Sequence, residues 1–189
     1  VNELGVKFPR KPNISHVVRE MIKVRRLLHG KTNEDLYSLP MMACTRTIGV
    51  VQALNAITLS AYLKVTEPDM MALAGLRTVW LTIKYGLSIV APYAFACNAT
   101  FSSFLGLYKD SDRFATVALH LLDQIPGTRP VEARALAHLG HLVTHWTRPI
   151  SETYRLLQRG CDAGIETGDM YSCFFACVGI VSFSYILGH

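Results

Sequence analysis

Three histidines, His138, His141 and His145, recur three and four residues apart and therefore project from one side of a helix. At about 100° per residue, their face lies about a quarter turn from the apolar stripe Ala135, Leu139, Leu142, Trp146. Imidazoles four apart can chelate a metal ion. Zinc wants further ligands, however, and across a hairpin only Glu152 or Cys161 could supply them. We read the ladder as the polar shoulder of a helix packed against its neighbour, and assign no metal and no cofactor. Cys173 and Cys177, also four apart, read as small buried apolar residues: no Cys-x-x-Cys pair occurs, and a disulfide within one helix is strained. Gly30-Lys31-Thr32 looks like the tail of a phosphate-binding loop, but Arg25 stands where the loop's first glycine belongs. The residues before it look helical, so it reads as a helix stop followed by a cap. No metalloprotease, nucleophile-elbow or kinase catalytic-loop pattern occurs. Asp69, Asp110, Glu132, Glu152 and Asp169 stand singly near expected helix starts, where they offset the helix dipole. No catalytic residue is assigned.

The elements that would carry these residues all read as helices. Prolines and glycines fall between segments of helical apolar spacing, and strand-like alternation is scarce. The spacing predicts helices over 15–28, 33–39, 41–65, 66–85, 88–107, 110–125, 128–146 and 149–167, and a last one from Met170 onward. Gly30, Gly86 and Gly168 serve as stops, while Thr66, Thr128 and Asp169 serve as caps. Helices of this length with short breaks pack as antiparallel pairs. Leu105-Gly106 returns as Leu139-Gly140 after 34 residues, a spacing that suits tetratricopeptide-like hairpins, although the register then drifts. The expected fold is all-α: antiparallel hairpins stacked as a tetratricopeptide-like right-handed superhelix. Residues 1–40 form a basic arm, first helix and short helical turn, and 41–189 the repeat region.

Composition narrows the class. Half of the 189 residues are apolar and 17% are charged, which excludes a disordered or collagen-like chain. Five cysteines without paired spacing argue against a secreted disulfide scaffold and for a reducing, cytoplasmic setting. The two sequons, at Asn13 and Asn98, are then unused. The chain opens without methionine and stops within Tyr185-Ile186-Leu187, so it reads as a piece of a longer protein. Residues 1–31 hold eight basic and two acidic side chains, and the rest hold eleven and twelve, so the net charge of +5 sits in the N-terminal arm. Without interleaved aromatics to stack bases, no nucleic-acid partner is expected.

A membrane reading competes. Twenty-four residues between Lys84 and Lys109 carry no charge, nor do the twenty from Met170, and either run could span a bilayer. The first contains Pro92, Asn98, Thr100, Ser102 and Ser103, a polar load unusual for a lipid-facing helix. A third segment, 47–63, is short and holds Gln52 and Asn55. A fragment of a polytopic membrane protein is therefore the alternative, not the main reading.

Several stretches together carry a family resemblance. Leu4-Gly5-Val6-Lys7-Phe8-Pro9-Arg10-Lys11-Pro12 precedes a basic helix ending Leu27-Leu28-His29-Gly30-Lys31, followed by Glu34-Asp35-Leu36-Tyr37-Ser38-Leu39-Pro40. Leu81-Thr82-Ile83-Lys84-Tyr85-Gly86, His145-Trp146 and Ala163-Gly164-Ile165-Glu166-Thr167-Gly168-Asp169-Met170 follow in order. This pattern resembles the central helical region of very large signalling ATPases. Those proteins carry a Ser/Thr-kinase-like domain, an AAA/NACHT-type ATPase, this helical stretch, a GAF domain and a histidine-kinase module. The chain departs from that pattern at Met41-Met42-Ala43-Cys44-Thr45-Arg46, where relatives carry a charged capping stretch. The resemblance covers nearly the whole chain and implies structural roles for Pro9, Pro12, Gly30, Leu39, Pro40, Tyr85, Gly86, His145, Trp146, Gly168 and Asp169. It also implies a non-catalytic scaffold or linker inside a signal-transduction kinase, with kinase and ATPase activities elsewhere in the parent. Lys7, Arg10, Lys11, Lys23, Arg25 and Arg26 would dock adjacent domains, and a concave face would hold another protein or peptide. A metal or small-ligand site at the histidine ladder is the third alternative.

Overall fold

The computed structural model describes residues 8–64 and 67–188, and these are helical throughout, with no strand among them. Nine α-helices are described: α1 Ile14–Leu28, α2 Asn33–Tyr37, α3 Thr45–Lys64, α4 Pro68–Tyr85, α5 Ala91–Phe104, α6 Tyr108–Gln124, α7 Arg129–Leu142, α8 Ile150–Thr167 and α9 Met170–Leu187. A single 3₁₀ turn, Thr144–Trp146, follows α7.

Local chemistry sets most of these boundaries. Asn13 caps α1 and Thr32 caps α2, each by a reciprocal box with the residue three further on, His16 or Asp35. Gly30 takes a positive φ of 75° between them, so Gly30-Lys31-Thr32 is a stop and a cap. Prolines occupy the first turns of α4, α5 and α7, where the missing N–H costs nothing. Gly168, at φ 76°, closes α8, and the Asp169 carboxylate accepts from the Ser172 N–H to open α9.

Several boundaries differ from the sequence reading, among them the helix expected over 88–107, which spans Ala91–Phe104. The helix expected from Met41 begins at Thr45, because the chain before it is held by α4's end: Met42 N–H donates to Leu87 O at 2.7 Å, and Leu87 N–H donates to Pro40 O at 2.8 Å. Gly86 is required there. Its φ is +112°, and a Cβ would sit 2.3 Å from the Pro40 carbonyl oxygen. This bridge joins two of the expected structural pairs, Leu39-Pro40 and Tyr85-Gly86. Thr128 precedes α7 but does not cap it; its hydroxyl reaches back to the carbonyls of Leu122 and Ile125. The helix expected to reach Trp146 ends at Leu142, and the buried Thr144 hydroxyl then pairs with Thr153 at 2.9 Å. Thr66, expected as a cap, lies outside the described residues.

Neighbouring helices pack in sequence order: α3 on α4, α5 on α6, α7 on α8, α8 on α9. Beyond these pairs, α7 touches both α5 and α9, α4 touches α5, α1 lies on α4 and α2 on α6. Helix α5, within the uncharged run 85–108, is the centre of the molecule. Every residue from Ala91 to Thr100 is buried, covered by α4, α6 and α7. Part of the run's polar load is satisfied internally, while the buried hydroxyls of Ser88 and Ser103 find no hydrogen-bond partner among the described residues. Asn98 Nδ2 donates to Ala94 O, the Thr100 hydroxyl to Ala96 O, and the Ser111 hydroxyl to Ala99 O. The main core joins α1 through α7 and Leu156 of α8, and includes Val17, Val24 and Leu36 from the first forty residues. A small second cluster, Ala137, Leu157, Ala176 and Phe183, joins α7, α8 and α9. Glycines bring these three helices close: a Cβ on Gly140 would lie 2.7 Å from Leu157, and one on Gly164 2.8 Å from the Cys173 Cβ.

Candidate functional site

The histidine ladder sits where α7 meets α9. His138 is buried edge-on to Tyr93 of α5 at 5.4 Å, with Phe175 of α9 at 6.2 Å. Burial holds its imidazole neutral, with a pKa lowered to about 4, and the nearby Arg134 charge adds to the effect. His141 stacks obliquely on Phe175 at 4.5 Å, and His145 on Phe183 at 5.3 Å. Desolvation lowers both of their pKa values as well. The rings are used as flat, neutral packing surfaces. Neither sequence-level ligand candidate joins them: Glu152 accepts from Arg148 at 2.7 Å, and Cys161 turns to α9.

Cys161 instead meets the two cysteines that the sequence left as packing residues. Its Sγ lies 2.7 Å from Cys173 Sγ and 3.4 Å from Cys177 Sγ, and all three sulfurs lie within 4.8 Å of one another. Among the described residues this is the one grouping of His, Cys, Asp or Glu side chains close enough to hold a metal ion. The helices explain the convergence. Cys173 and Cys177 lie one turn apart on the same face of α9, and α8 and α9 reverse direction at Gly168-Asp169. Cys161 precedes that reversal by seven residues, and the two partners follow Asp169 by four and eight, so Cys161 faces the gap between them. The close approach at Gly164 brings α9 within reach. Hydrogen bonding among the thiols and partial burial push the Cys161 thiol up to about 12. The signal was present in the sequence as a spacing about a turn, invisible when each helix is read alone. Of the remaining thiols, Cys97 is buried and pushed up to about 12 by desolvation, while Cys44 is exposed and lowered by hydrogen bonds from Thr47.

The basic residues of the first helix do not form one free patch. Arg25 pairs with Asp110 at 2.7 Å, and Lys23 with Glu20 at 3.3 Å. Arg10, Lys11 and Arg26 are exposed, and Lys7 lies outside the described residues. Sequence reasoning missed that Glu20 is buried, where it binds Arg77 of α4 at 2.8 Å and ties α1 to the core. A cavity of about 360 Å³ opens between α1, α5 and α6, lined in part by Val24, Arg25, Phe101, Arg113 and Phe114. Arg113 is already engaged, donating to the Lys31 carbonyl and the Asn33 side chain. Pro9 and Pro12 lead, half-buried, into α1, and Trp146 lies exposed against Tyr108 at 5.7 Å. Asp169, besides capping α9, accepts from Arg134 of α7 at 3.1 Å.

The last helix leaves much of its surface uncovered. Phe174, Val181, Tyr185 and Ile186 are 67–86% exposed. Among the described residues α9 is the one helix long and apolar enough to cross a membrane, and 28% of its residues are buried. No protein-family model, no curated protein and no solved structure matches this chain.

Proposed function

We propose that this chain is a non-catalytic helical-repeat scaffold: a tetratricopeptide-like superhelical segment that links domains of a large signal-transduction kinase or ATPase in the cytoplasm. One observation carries the reading. In successive hairpins α7 covers α5 and α9 covers α7, while the next face in that series, on α9, is apolar and uncovered. A stacked array buries each hairpin against the next, so a face of this kind is where a further hairpin or a partner protein seats. Exposed Arg10, Lys11 and Arg26 provide a separate basic surface for an acidic neighbour. The histidines are occupied in packing, so the ladder contributes rigidity between α5, α7 and α9.

Residues 1–189 produced alone are expected in the aqueous fraction, strongly helical, unfolding in one cooperative step and without ATP turnover. A second reading follows from α9 alone: its length and apolar surface suit a bilayer span. Recovery of the chain only in the detergent fraction would select that reading and overturn the scaffold.

A further inference from the structure

We propose that Cys161, Cys173 and Cys177 form a binding site for one thiophilic d¹⁰ metal ion, of the Zn²⁺ or Cu⁺ class, held by three thiolates between α8 and α9. A metal–sulfur bond of about 2.3 Å puts two sulfurs on one ion about 3.8–4.0 Å apart. Cys161 Sγ lies closer than that to both partners, at 2.7 Å and 3.4 Å, and all three sulfurs lie within 4.8 Å of one another, so the sulfurs spread apart to admit an ion. Small side-chain rotations suffice for that spread. A disulfide would use two of the sulfurs and leave the third facing the pair. All three converge, and thiolate sets of this kind select soft ions.

The placement suits retention of an ion. Cys173 is buried and fixed by the close Gly164 crossing, while Cys161 and Cys177 are half-buried, so the site opens on one side for entry and for a water in a fourth position. No histidine or carboxylate joins the grouping, which disfavours harder ions. Binding is a proton-for-metal exchange without redox change: three thiols release three protons, and three metal–sulfur bonds form. The ion would clamp the α8–α9 hairpin, whose far face on α9 is exposed.

The test is titration of the reduced full chain with Cd²⁺ as the spectroscopic probe, with parallel Zn²⁺ and Cu⁺ arms under competing chelators. A thiolate-to-Cd²⁺ ultraviolet band is expected to saturate at one ion per chain. The melting temperature should rise by roughly 5–10 °C when the ion is about a hundredfold above its dissociation constant. Cys161→Ser and Cys177→Ser each should weaken binding at least tenfold with helix content unchanged, and Cys44→Ser should leave it intact. Whichever arm holds its ion against the chelator names the metal. A band that never saturates, that survives Cys177→Ser, or that disappears with Cys44→Ser would overturn the proposal. So would a chain that binds no ion when reduced and merely forms a Cys161–Cys173 bond on treatment with a small disulfide.

Discussion

Helices α5 and α9 are built from the same kind of sequence and meet opposite fates. Both lie in long uncharged runs, and neither shows an apolar stripe set against a polar face. Yet twelve of the fourteen residues of α5 are buried, against five of eighteen in α9. Side-chain size explains much of the difference. Most of α5 is alanine, serine, threonine, asparagine or cysteine, so α4, α6 and α7 can close around it, and Asn98 and Thr100 bond back to its own helix. In α9 the small residues Ser172, Cys173, Ala176 and Gly179 form an inward seam with Phe183, while Phe174, Val181, Tyr185 and Ile186 stay exposed. An uncharged helix is therefore not one structural class: its distribution of small residues decides how many neighbours it can accept.

Truncations of matched residues should show the contrast most strongly. Phe95→Ala, at a side chain with no exposure, is expected to cost about 3–5 kcal/mol in urea unfolding. Phe174→Ala, on the uncovered face of α9, should change stability by less than about 0.5 kcal/mol. Equal losses would mean that α9 is buried in solution, and the contrast would fail.

His138 probes the seam between the two helices, because its ring touches Tyr93 of α5 and Phe175 of α9. Its folded pKa of about 4 lies below the ordinary histidine value. The unfolded chain therefore takes up a proton first as pH falls through about 6.5, and the folded chain only near 4. The stability contributed by the neutral ring is fully present above about pH 6.5 and is lost progressively down to about pH 4, by roughly 3 kcal/mol. Urea midpoints across that window should fall steeply in the parent chain and less steeply in His138→Gln.

The α8–α9 seam tolerates little added volume. Gly164→Ala would place a Cβ 2.8 Å from the Cys173 Cβ and 2.9 Å from the Asp169 carbonyl oxygen. A loss of about 1–3 kcal/mol is expected by thermal denaturation. The smallest effect on stability belongs to Val181→Asp, on the exposed face, which should stay within about 0.5 kcal/mol. It should still reduce self-association, read by light scattering, if that face is the one that docks.

How much was legible in advance follows the reach of each interaction. Thr32, Gly168 and Asp169 act on groups within a few residues, so the termini they set could be read directly, whereas the cap at Asn13 was equally local and was missed. Thr128 looked the same but bonds backwards into the preceding turn, an outcome set by how α6 ends. The start of α3 was misplaced because Pro40 and Met42 are held by Leu87, more than forty residues away. Glu20 looked like part of a solvated basic helix until Arg77 arrived from α4.

The sequence by itself determined an all-helical chain, most of its breaks and the cap at Asp169, since capping, proline and glycine effects act within one turn of backbone. Only the tertiary structure decided which uncharged helix lies at the centre and which keeps an open face, and that Cys161 meets Cys173 and Cys177. Burial and thiol convergence depend on which surfaces meet across the fold, and a spacing of residues along one helix carries no record of what stands opposite it.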